Sequence, residues 1–348
     1  MLFYFLILCP ILLLFSQQDR INNKINNFFI FCYLIILTIF IGLRHETGGD
    51  WDVYLKNFYF YGNNFSIYIR SDLGYEFLSY VVYNLTGNFY FLNLIIASFN
   101  IYCLSVFLKN LDNRVLGLII SMPLIILILY MGFVRQGIAF SFMLLAVNSI
   151  NKKNLNLFYV YIFIGSLFHK SLILFIIFGL LLDKRIFFKI IVLSFLMIIY
   201  LIFFRDFNHL FNIYLGKYKG LYYDVSQGAN IRIILNLIPA IIFIFLLKYL
   251  EISKNEKKFY SYISVFIILS FFIKDAAITF FDRVNFYFLI LQVFLFSNIN
   301  KINFLDKNQT ILINYIILLF YCFIFIFWLM YASHSIGWLP YKNIIFNV

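Results

Sequence analysis

An arginine stands inside a long apolar stretch of this sequence, where a charged side chain is costly. Arg135 lies in the segment LILYMGFVRQGIAFSFMLLA, which has apolar runs on both sides and no acidic residue. Ionisable groups in such surroundings are rare and usually mark a functional site. A guanidinium is planar, keeps its charge and donates paired hydrogen bonds, which suits phosphate. Arg135 is therefore predicted to bind an anion in a cavity; the alternative is an interfacial anchor that reaches outward to water.

Two further arginines border apolar segments. Arg283 occurs in FFDRVNFYFLI, where Tyr287 lies four residues on and shares its helix face, whereas Asp282 points elsewhere. A helix cap within an interfacial aromatic belt is the alternative reading of Arg283. Arg44 and Asp50 occur in RHETGGDWDVY, whose paired glycines permit a tight turn. That turn would bring Asp50 towards the membrane surface; an ordinary exposed loop is the alternative.

His169 and Glu76 are the other candidates for chemistry. His169 interrupts the apolar run LFYVYIFIGSLFHKSLILFIIFGLLL, and Glu76 lies in LGYEFLSYVVYNLT. A hydrogen-bonded histidine at a helix end is the structural alternative for His169. The sequence has no HExxH, P-loop or GxSxG motif, and its four cysteines are single residues in apolar segments. The zinc-protease, ATP-hydrolysing and serine-hydrolase classes therefore lose support, and neither a metal nor a cofactor is predicted.

The amino-acid composition indicates whether this chain is surrounded by water or by lipid. Of its 348 residues, 64% are hydrophobic and 12% are charged, against about half and about a quarter in soluble domains. The sequence therefore predicts an all-α polytopic membrane protein. The net charge of +12 comes from basic clusters between apolar runs. Such clusters indicate membrane topology rather than a nucleic-acid partner.

About 20 apolar residues make a spanning helix, and the chain offers about ten such segments. We predict spans at 1–16, 28–43, 89–108, 116–131, 133–150, 186–204, 233–248, 259–274, 284–299 and 310–330. Six of the intervening loops hold 15 of the 27 basic residues. The positive-inside rule places those loops in the cytoplasm and the candidate residues at the outer face of a bacterial inner membrane.

One apolar run does not fit simple crossing. Residues 157–182 have cytoplasmic-type charge clusters on both sides, so a single span would invert every later loop. We predict instead a re-entrant pair of half-length helices that meet at His169, a feature tolerated where it lines a cavity. Residues 73–86 are predicted as an amphipathic helix, and 44–75 and 205–232 as outer loops. Residues 1–348 are predicted to form a single membrane domain.

Several short motifs, in this order, resemble the EpsG/Wzy family of membrane polysaccharide polymerases. The resemblance covers nearly the whole chain. It rests on Arg44, Gly49, Asp50 and Tyr54, then Gly74-Tyr75-Glu76, Val134-Arg135-Gln136-Gly137-Ile138-Ala139, Phe168-His169 with Ser171, Asp282-Arg283 with Asn285, and Pro340-Tyr341. Lys170 is unusually charged for its position between His169 and Ser171.

The resemblance implies a multi-spanning glycosyltransferase similar to the GT-C type. Its substrate would be an oligosaccharide carried on undecaprenyl pyrophosphate within the membrane lipid, and its product O-antigen, capsule or exopolysaccharide. A separate chain-length regulator protein is a further candidate partner. In this reading Arg44, Arg135 and Arg283 bind pyrophosphate, and Asp50, Glu76 or His169 acts on the attacking hydroxyl. Substrate-binding roles fall to Tyr54, Gln136, Asp282, Tyr287 and Tyr341.

Two other classes compete with this reading. A flippase for lipid-linked oligosaccharide would also need cations for pyrophosphate, but the sequence shows no internal repeat of the kind many transporters have. Another membrane transferase, such as an O-antigen ligase or an acyltransferase using His169 as base, is the second alternative. The acyltransferase reading leaves the three arginines without a task.

Overall fold

The computed structural model describes residues 1–17, 21–64, 72–186, 189, 228–276 and 278–345. Helices form nearly all of its regular structure. They are α1 (Leu2–Gln17), α2 (Asn23–Gly42), α3 (Trp51–Asn63), α4 (Leu73–Thr86), α5 (Phe89–Leu108), α6 (Arg114–Ser121), α7 (Val134–Asn151), α8 (Leu155–Phe168), α9 (Ile176–Leu182), α10 (Ala229–Leu246), α11 (Lys254–Ile273), α12 (Ile278–Asn285), α13 (Leu289–Ser297) and α14 (Lys307–Tyr331).

Shorter elements extend or join these helices. A π-helical segment, Met122–Tyr130, continues α6, and 3₁₀ segments cover Lys170–Phe175, Lys274–Ala276, Phe286–Phe288, Ile299–Lys301 and Ser333–Trp338. Strands β1 (Arg44–His45) and β2 (Lys342–Asn343) form an antiparallel pair. Polar residues fix several helix starts: the Asn88 side chain accepts from two amides of α5, and Asp306 with Gln309 forms a capping box on α14.

Among the described residues, five helical segments are long and apolar enough to cross a membrane by themselves. They are Asn23–Gly42, Phe89–Leu108, Ala229–Leu246, Ile278–Ser297 and Lys307–Tyr331. Shorter apolar helices accompany them, so the prediction of an all-α polytopic membrane protein is confirmed. The count of about ten spans stays a prediction. The predicted span 186–204 and outer loop 205–232 lie almost entirely outside the described residues.

The basic loops meet at one end of the bundle. The guanidinium of Arg114 donates to Asn27 over 3.1 Å, and the Asp112 amide donates to Asn298 over 3.2 Å. A backbone bridge between Leu250 and Ile302 joins two more of these loops. The opposite end, where α2 and α8 finish and α7 and α12 begin, carries the residues singled out for chemistry. We call it the site end.

The run 157–182 is a helical hairpin broken at His169. Helix α8 ends there, and His169 itself is extended, with φ −155° and ψ 113°. The 3₁₀ segment and α9 then pack back on α8. A Cβ on Gly179 would lie 2.7 Å from the ring of Phe158, and the Tyr159 hydroxyl donates to Asp183 over 3.3 Å. The chain therefore reverses direction at His169. That it re-enters the same membrane face stays a prediction.

The stretch 44–75, predicted as an outer loop, contains the helix α3. Its buried residues are Trp51, Tyr54, Phe58 and Gly62, spaced to line one helix face. Helix α4 has the predicted bounds 73–86 and packs on α3 so closely that a Cβ on Gly62 would overlap the Tyr83 ring. The two short helices form an ordered layer over the site end.

The turn before α3 is held by the end of the chain. Gly48 has φ 115°, a conformation that disfavours other residues, and its amide donates to the Gly337 carbonyl over 2.7 Å. The Trp338 indole donates to the Leu127 carbonyl over 2.9 Å, and strand β2 pairs with β1. The segment after α14 thus fixes the backbone that carries Asp50.

Candidate functional site

Arg135 lies at the site end, in the first turn of α7. Its Nη1 donates to Asp72 Oδ2 over 2.8 Å, and its guanidinium lies 5.9 Å from the centre of the Tyr54 ring. The side chain of Arg135 keeps 37% exposure despite this pairing. Burial raises the pKa of Asp72, and the charge of Arg135 opposes that effect. Arg135 is therefore paired and positioned, with part of its guanidinium open to a ligand.

Asp50 stands at the start of α3 and is within electrostatic range of two arginines. Desolvation by the surrounding protein raises the pKa of the Asp50 carboxyl, while the charges of Arg135 and Arg283 lower it. Desolvation is the larger effect. The Asp50 side chain makes no cap hydrogen bond to α3 and is exposed. The structure therefore brings Asp50 within electrostatic range of Arg135 and Arg283, although the three residues belong to separate motifs of the sequence.

Arg283 approaches from α12. Its side chain is exposed, and among the described residues it has no carboxylate within ion-pair distance. The Gln136 side chain donates to the Arg283 backbone carbonyl over 2.5 Å. Gln136, adjacent to Arg135 in sequence, thus couples the start of α7 to the last turn of α12.

His169 takes part in a three-membered hydrogen-bonding cluster. Its Nδ1 lies 2.6 Å from the Ser171 hydroxyl and 3.2 Å from the Tyr287 hydroxyl, and the two hydroxyls are 3.2 Å apart. Tyr287 is fully buried and His169 is half-buried. The hairpin tip is therefore anchored to the segment that follows Arg283.

Asp282 is paired with an arginine that sequence reasoning did not select. Arg232, in the first turn of α10, donates from Nε to Asp282 Oδ1 over 2.7 Å and from Nη2 to Oδ2 over 2.6 Å. Its guanidinium also lies 5.4 Å from the centre of the Phe286 ring. This two-bond ion pair joins α10 to α12 beside Arg283. A substrate-binding role for Asp282 stays a prediction.

A chain of buried amides continues from this point into the bundle. Asn236 donates to the backbone and side-chain oxygens of Asn285, each over 2.8 Å. Gln292 donates to Asn236 over 2.5 Å, and the Tyr321 hydroxyl donates to Gln292 over 2.6 Å. These side chains link α10, α12, α13 and α14 in apolar surroundings, where a hydrogen bond has no water to compete with it.

Arg44 and Tyr341 lie together in the packed turn behind the cluster. Arg44 is buried, and its guanidinium donates to the Thr47 and Ile41 carbonyls over 3.1 and 2.5 Å. The Tyr341 ring stacks on Phe40 at 4.2 Å, and its hydroxyl donates to the Phe40 carbonyl. In this conformation both side chains stabilise the turn. Their predicted contacts with substrate stay predictions.

Glu76 is buried on α4, facing α3. Burial raises the pKa of the neighbouring Tyr61 hydroxyl, and the charge of Glu76 raises it further. Arg135 acts on Tyr61 in the opposite direction. Glu76 is therefore close to the arginine cluster but enclosed between the two short helices.

Two functional partners were absent from the sequence prediction. Asp72, which pairs with Arg135, directly precedes the predicted helix 73–86, where an acidic residue is also expected as a cap. Arg232 directly precedes a predicted span, where a basic residue is also expected as an anchor. Asp72 could be explained as a helix cap and Arg232 as an interfacial anchor. The sequence therefore did not distinguish either residue from one with a purely structural role. Within the described ranges no cluster of three His, Cys, Asp or Glu side chains is arranged to hold a metal.

A recess of about 600 Å³ opens on the other side of α3. Aromatic rings and carboxylates share its lining: Trp51, Tyr59, Tyr90, Glu46 and Asp52. His45 bonds the Tyr90 hydroxyl over 2.6 Å and fixes that ring. Helix α3 therefore separates the recess from the arginine cluster, with Asp50 at its start.

A comparison with protein-family models identifies the family to which this chain belongs. A family model described as EpsG matches residues 2–343, essentially the whole chain. The chain belongs to the EpsG family. EpsG is a Wzy-like polymerase family, so the resemblance drawn from the short motifs is confirmed, and a membrane polysaccharide polymerase is supported. No curated protein and no solved structure gives a significant match.

The Arg232–Asp282 pair gives a stability prediction for this EpsG-family chain. Replacement of Arg232 by Met leaves Asp282 buried without its two charged donors, which we expect to cost about 3–5 kcal/mol. The double variant Arg232→Met/Asp282→Leu removes both charges and should recover most of that loss. Thermal unfolding of the purified protein in detergent measures both effects. Equal stability of the single variant and the parent would contradict a structural role for the pair.

Proposed function

We propose that this chain joins undecaprenyl-pyrophosphate-linked oligosaccharide repeats into a surface polysaccharide at the outer face of the bacterial inner membrane. The observation that carries the proposal is the convergence of Arg135, Arg283 and Asp50 at the site end. Membership of the EpsG family supports polymerisation in general. The basic loops at the opposite end support an outward-facing site, because the positive-inside rule assigns them to the cytoplasm. A GT-C-like architecture remains part of the proposal.

The reaction depends more on a site that stabilises the anionic leaving group than on a general acid that protonates it. The growing chain leaves its carrier as the reducing-end sugar is attacked by a hydroxyl of the next repeat. A pyrophosphate is already a good leaving group, so it needs stabilisation of developing charge and no proton. Arg135 and Arg283 would bind its oxygens, and such fixed donors contribute most where charge develops in the transition state. Asp72 is the ion-pair partner of Arg135 and would yield its place to phosphate.

Asp50 is the proposed base for the attacking hydroxyl. Asp50 is exposed beside both arginines, whereas Glu76 is enclosed between α3 and α4. His169 has its Nδ1 engaged by Ser171 and Tyr287, so its proposed role is to orient the hairpin tip. A carboxylate with a raised pKa is also a stronger base than ordinary aspartate.

The recess behind α3 is the proposed site for saccharide. Aromatic faces pack on the C–H surfaces of sugars, and carboxylates accept their hydroxyl protons. Tyr59 and Tyr90 supply aromatic rings, and Glu46 and Asp52 supply carboxylate oxygens. The recess lies against α3, the helix that has Asp50 at its start. A repeat held there lies beside the proposed base.

Replacement of Arg135 by Ala should abolish polymerisation in a reconstituted assay with lipid-linked repeats. Loss of one donor to a developing anion typically lowers kcat by about 10²–10³-fold. Arg135→Lys should also be poor, because a point charge lacks the planar two-bond geometry. The matched control is Arg114→Ala, a half-buried arginine at the opposite end. Normal product length from Arg135→Ala at equal protein level would rule out the assigned role.

The pH dependence tests Asp50. Since its pKa is raised, Asp50 takes up a proton at a higher pH than free aspartate, whose pKa is about 3.9. The base is lost as pH falls through that raised pKa, so kcat/KM should show an acid limb at a higher pH than free aspartate would give. The residual activity of Asp50→Asn should lack the limb, whereas Asp275→Asn, at an exposed carboxyl, should retain it. An unchanged limb in Asp50→Asn would assign the titration to another group.

Tyr59→Ala tests the saccharide recess. Loss of one stacking ring, worth about 0.5–1.5 kcal/mol, should raise the KM for acceptor about two- to tenfold with little change in kcat. The control is Tyr315→Ala on α14, since Tyr59 and Tyr315 have nearly equal exposures of 47% and 46%. Equal KM values for the two variants would place the saccharide elsewhere.

A further inference from the structure

A wholly apolar groove lies beside the arginine cluster. Its volume is about 200 Å³, and every residue that lines it is apolar. Four helices contribute: Leu78 from α4, Ile95 and Phe99 from α5, Ile138 and Phe142 from α7, and Phe168 from α8. The Phe142 ring contacts those of Phe99 and Phe168, with centres 4.9 and 5.6 Å apart. Aliphatic side chains and three aromatic rings, of which Phe142 contacts the other two, therefore form the groove.

The position of the groove relative to the site is set by three helices. Ile138 lies three residues after Arg135 on α7, so it is nearly one turn further along the same face. Phe168 directly precedes His169, and Leu78 follows Glu76 by two residues on α4. The groove thus starts about one helix turn from Arg135 and extends along the half-exposed flank of α5 and α7, away from the site end.

We propose that the groove binds the first isoprene units of the carrier lipid, with their pyrophosphate at Arg135 and Arg283. This inference rests on the function proposed above. A ligand that spans both features needs an anionic head and an apolar chain joined end to end. A polyprenyl pyrophosphate has that shape and charge distribution. The groove accommodates only the beginning of one chain, and the remainder of the chain extends into the bilayer.

The charge arrangement favours this occupant over an ordinary phospholipid or a partner helix. Two arginines at one end complement the adjacent phosphates of a pyrophosphate, whereas most phospholipids carry a single phosphate and two chains. A helix would bring neither an anion to Arg135 nor a chain narrow enough for the groove. Rigid aromatic walls also suit a branched, partly flat isoprenoid chain better than a flexible acyl chain.

Site-specific cross-linking tests the proposal directly. The photoreactive residue p-benzoylphenylalanine replaces Phe142, and, as the control, Phe323, which is 61% exposed on α14, remote from the groove. The protein is reconstituted in phosphatidylethanolamine–phosphatidylglycerol nanodiscs with radiolabelled undecaprenyl pyrophosphate that bears no sugar. We expect about tenfold more label at position 142 than at position 323, because burying several carbons of a chain corresponds to at least that preference. Excess unlabelled polyprenyl pyrophosphate should remove the label, and excess phosphatidylglycerol should not.

Equal labelling at the two positions, or equal competition by phosphatidylglycerol, would overturn the proposal. A second variant tests the groove by filling it: Ile138→Trp should raise the KM for a long-chain donor about tenfold and leave a donor whose pyrophosphate carries only a methyl group unaffected. The same KM change for both donors would also contradict it. Because the labelled lipid bears no sugar, cross-linking does not depend on polymerisation. Failure of the polymerase assignment is therefore seen in the Arg135 variants, and failure of the groove in the label.

Discussion

The cost of holding two arginines near the apolar part of a membrane determines how this site end is built. A guanidinium among apolar helices must be paired, hydrogen-bonded or open to a wet cavity. Arg135 has Asp72 at 2.8 Å and the Tyr54 ring beneath it, and Arg283 lies exposed beside Asp50. The layer of α3 and α4, together with the residues that directly precede these helices, supplies those partners. The same arrangement leaves the Arg283 side chain and part of the Arg135 side chain exposed, and we propose that pyrophosphate binds there.

Four sets of contacts hold the backbone around these residues. Gln136 joins the start of α7 to the backbone at Arg283, and the Arg232–Asp282 pair joins α10 to α12. The amide chain from Asn285 to Tyr321 extends this connection through the bundle. On the other side, the segment after α14 holds the Gly48 turn by backbone hydrogen bonds. The backbone that carries the residues proposed to bind pyrophosphate is thus held by elements far apart in the chain.

Local patterns of the sequence predicted the helices well, and long-range pairing was not predictable. The bounds 73–86 and 89–108 coincide with α4 and α5, and the break at His169 was predicted from charge clusters on both sides of an apolar run. Helix α3 was missed because its apolar spacing is hard to see in a chain that is 64% hydrophobic. Asp72 and Arg232 lie 63 and 50 residues from their partners, and each has an ordinary local role. Arg44 and Tyr341, selected by motif, pack into the turn instead of the cluster.

Deletion of the gene in its native host, followed by separation of the surface polysaccharide by size on a gel, distinguishes polymerisation of repeats from their export or ligation. If this EpsG-family chain polymerises repeats, the long ladder disappears while a single repeat remains attached to its acceptor. Loss of even the single repeat would place the chain at export or ligation and rule out a polymerase.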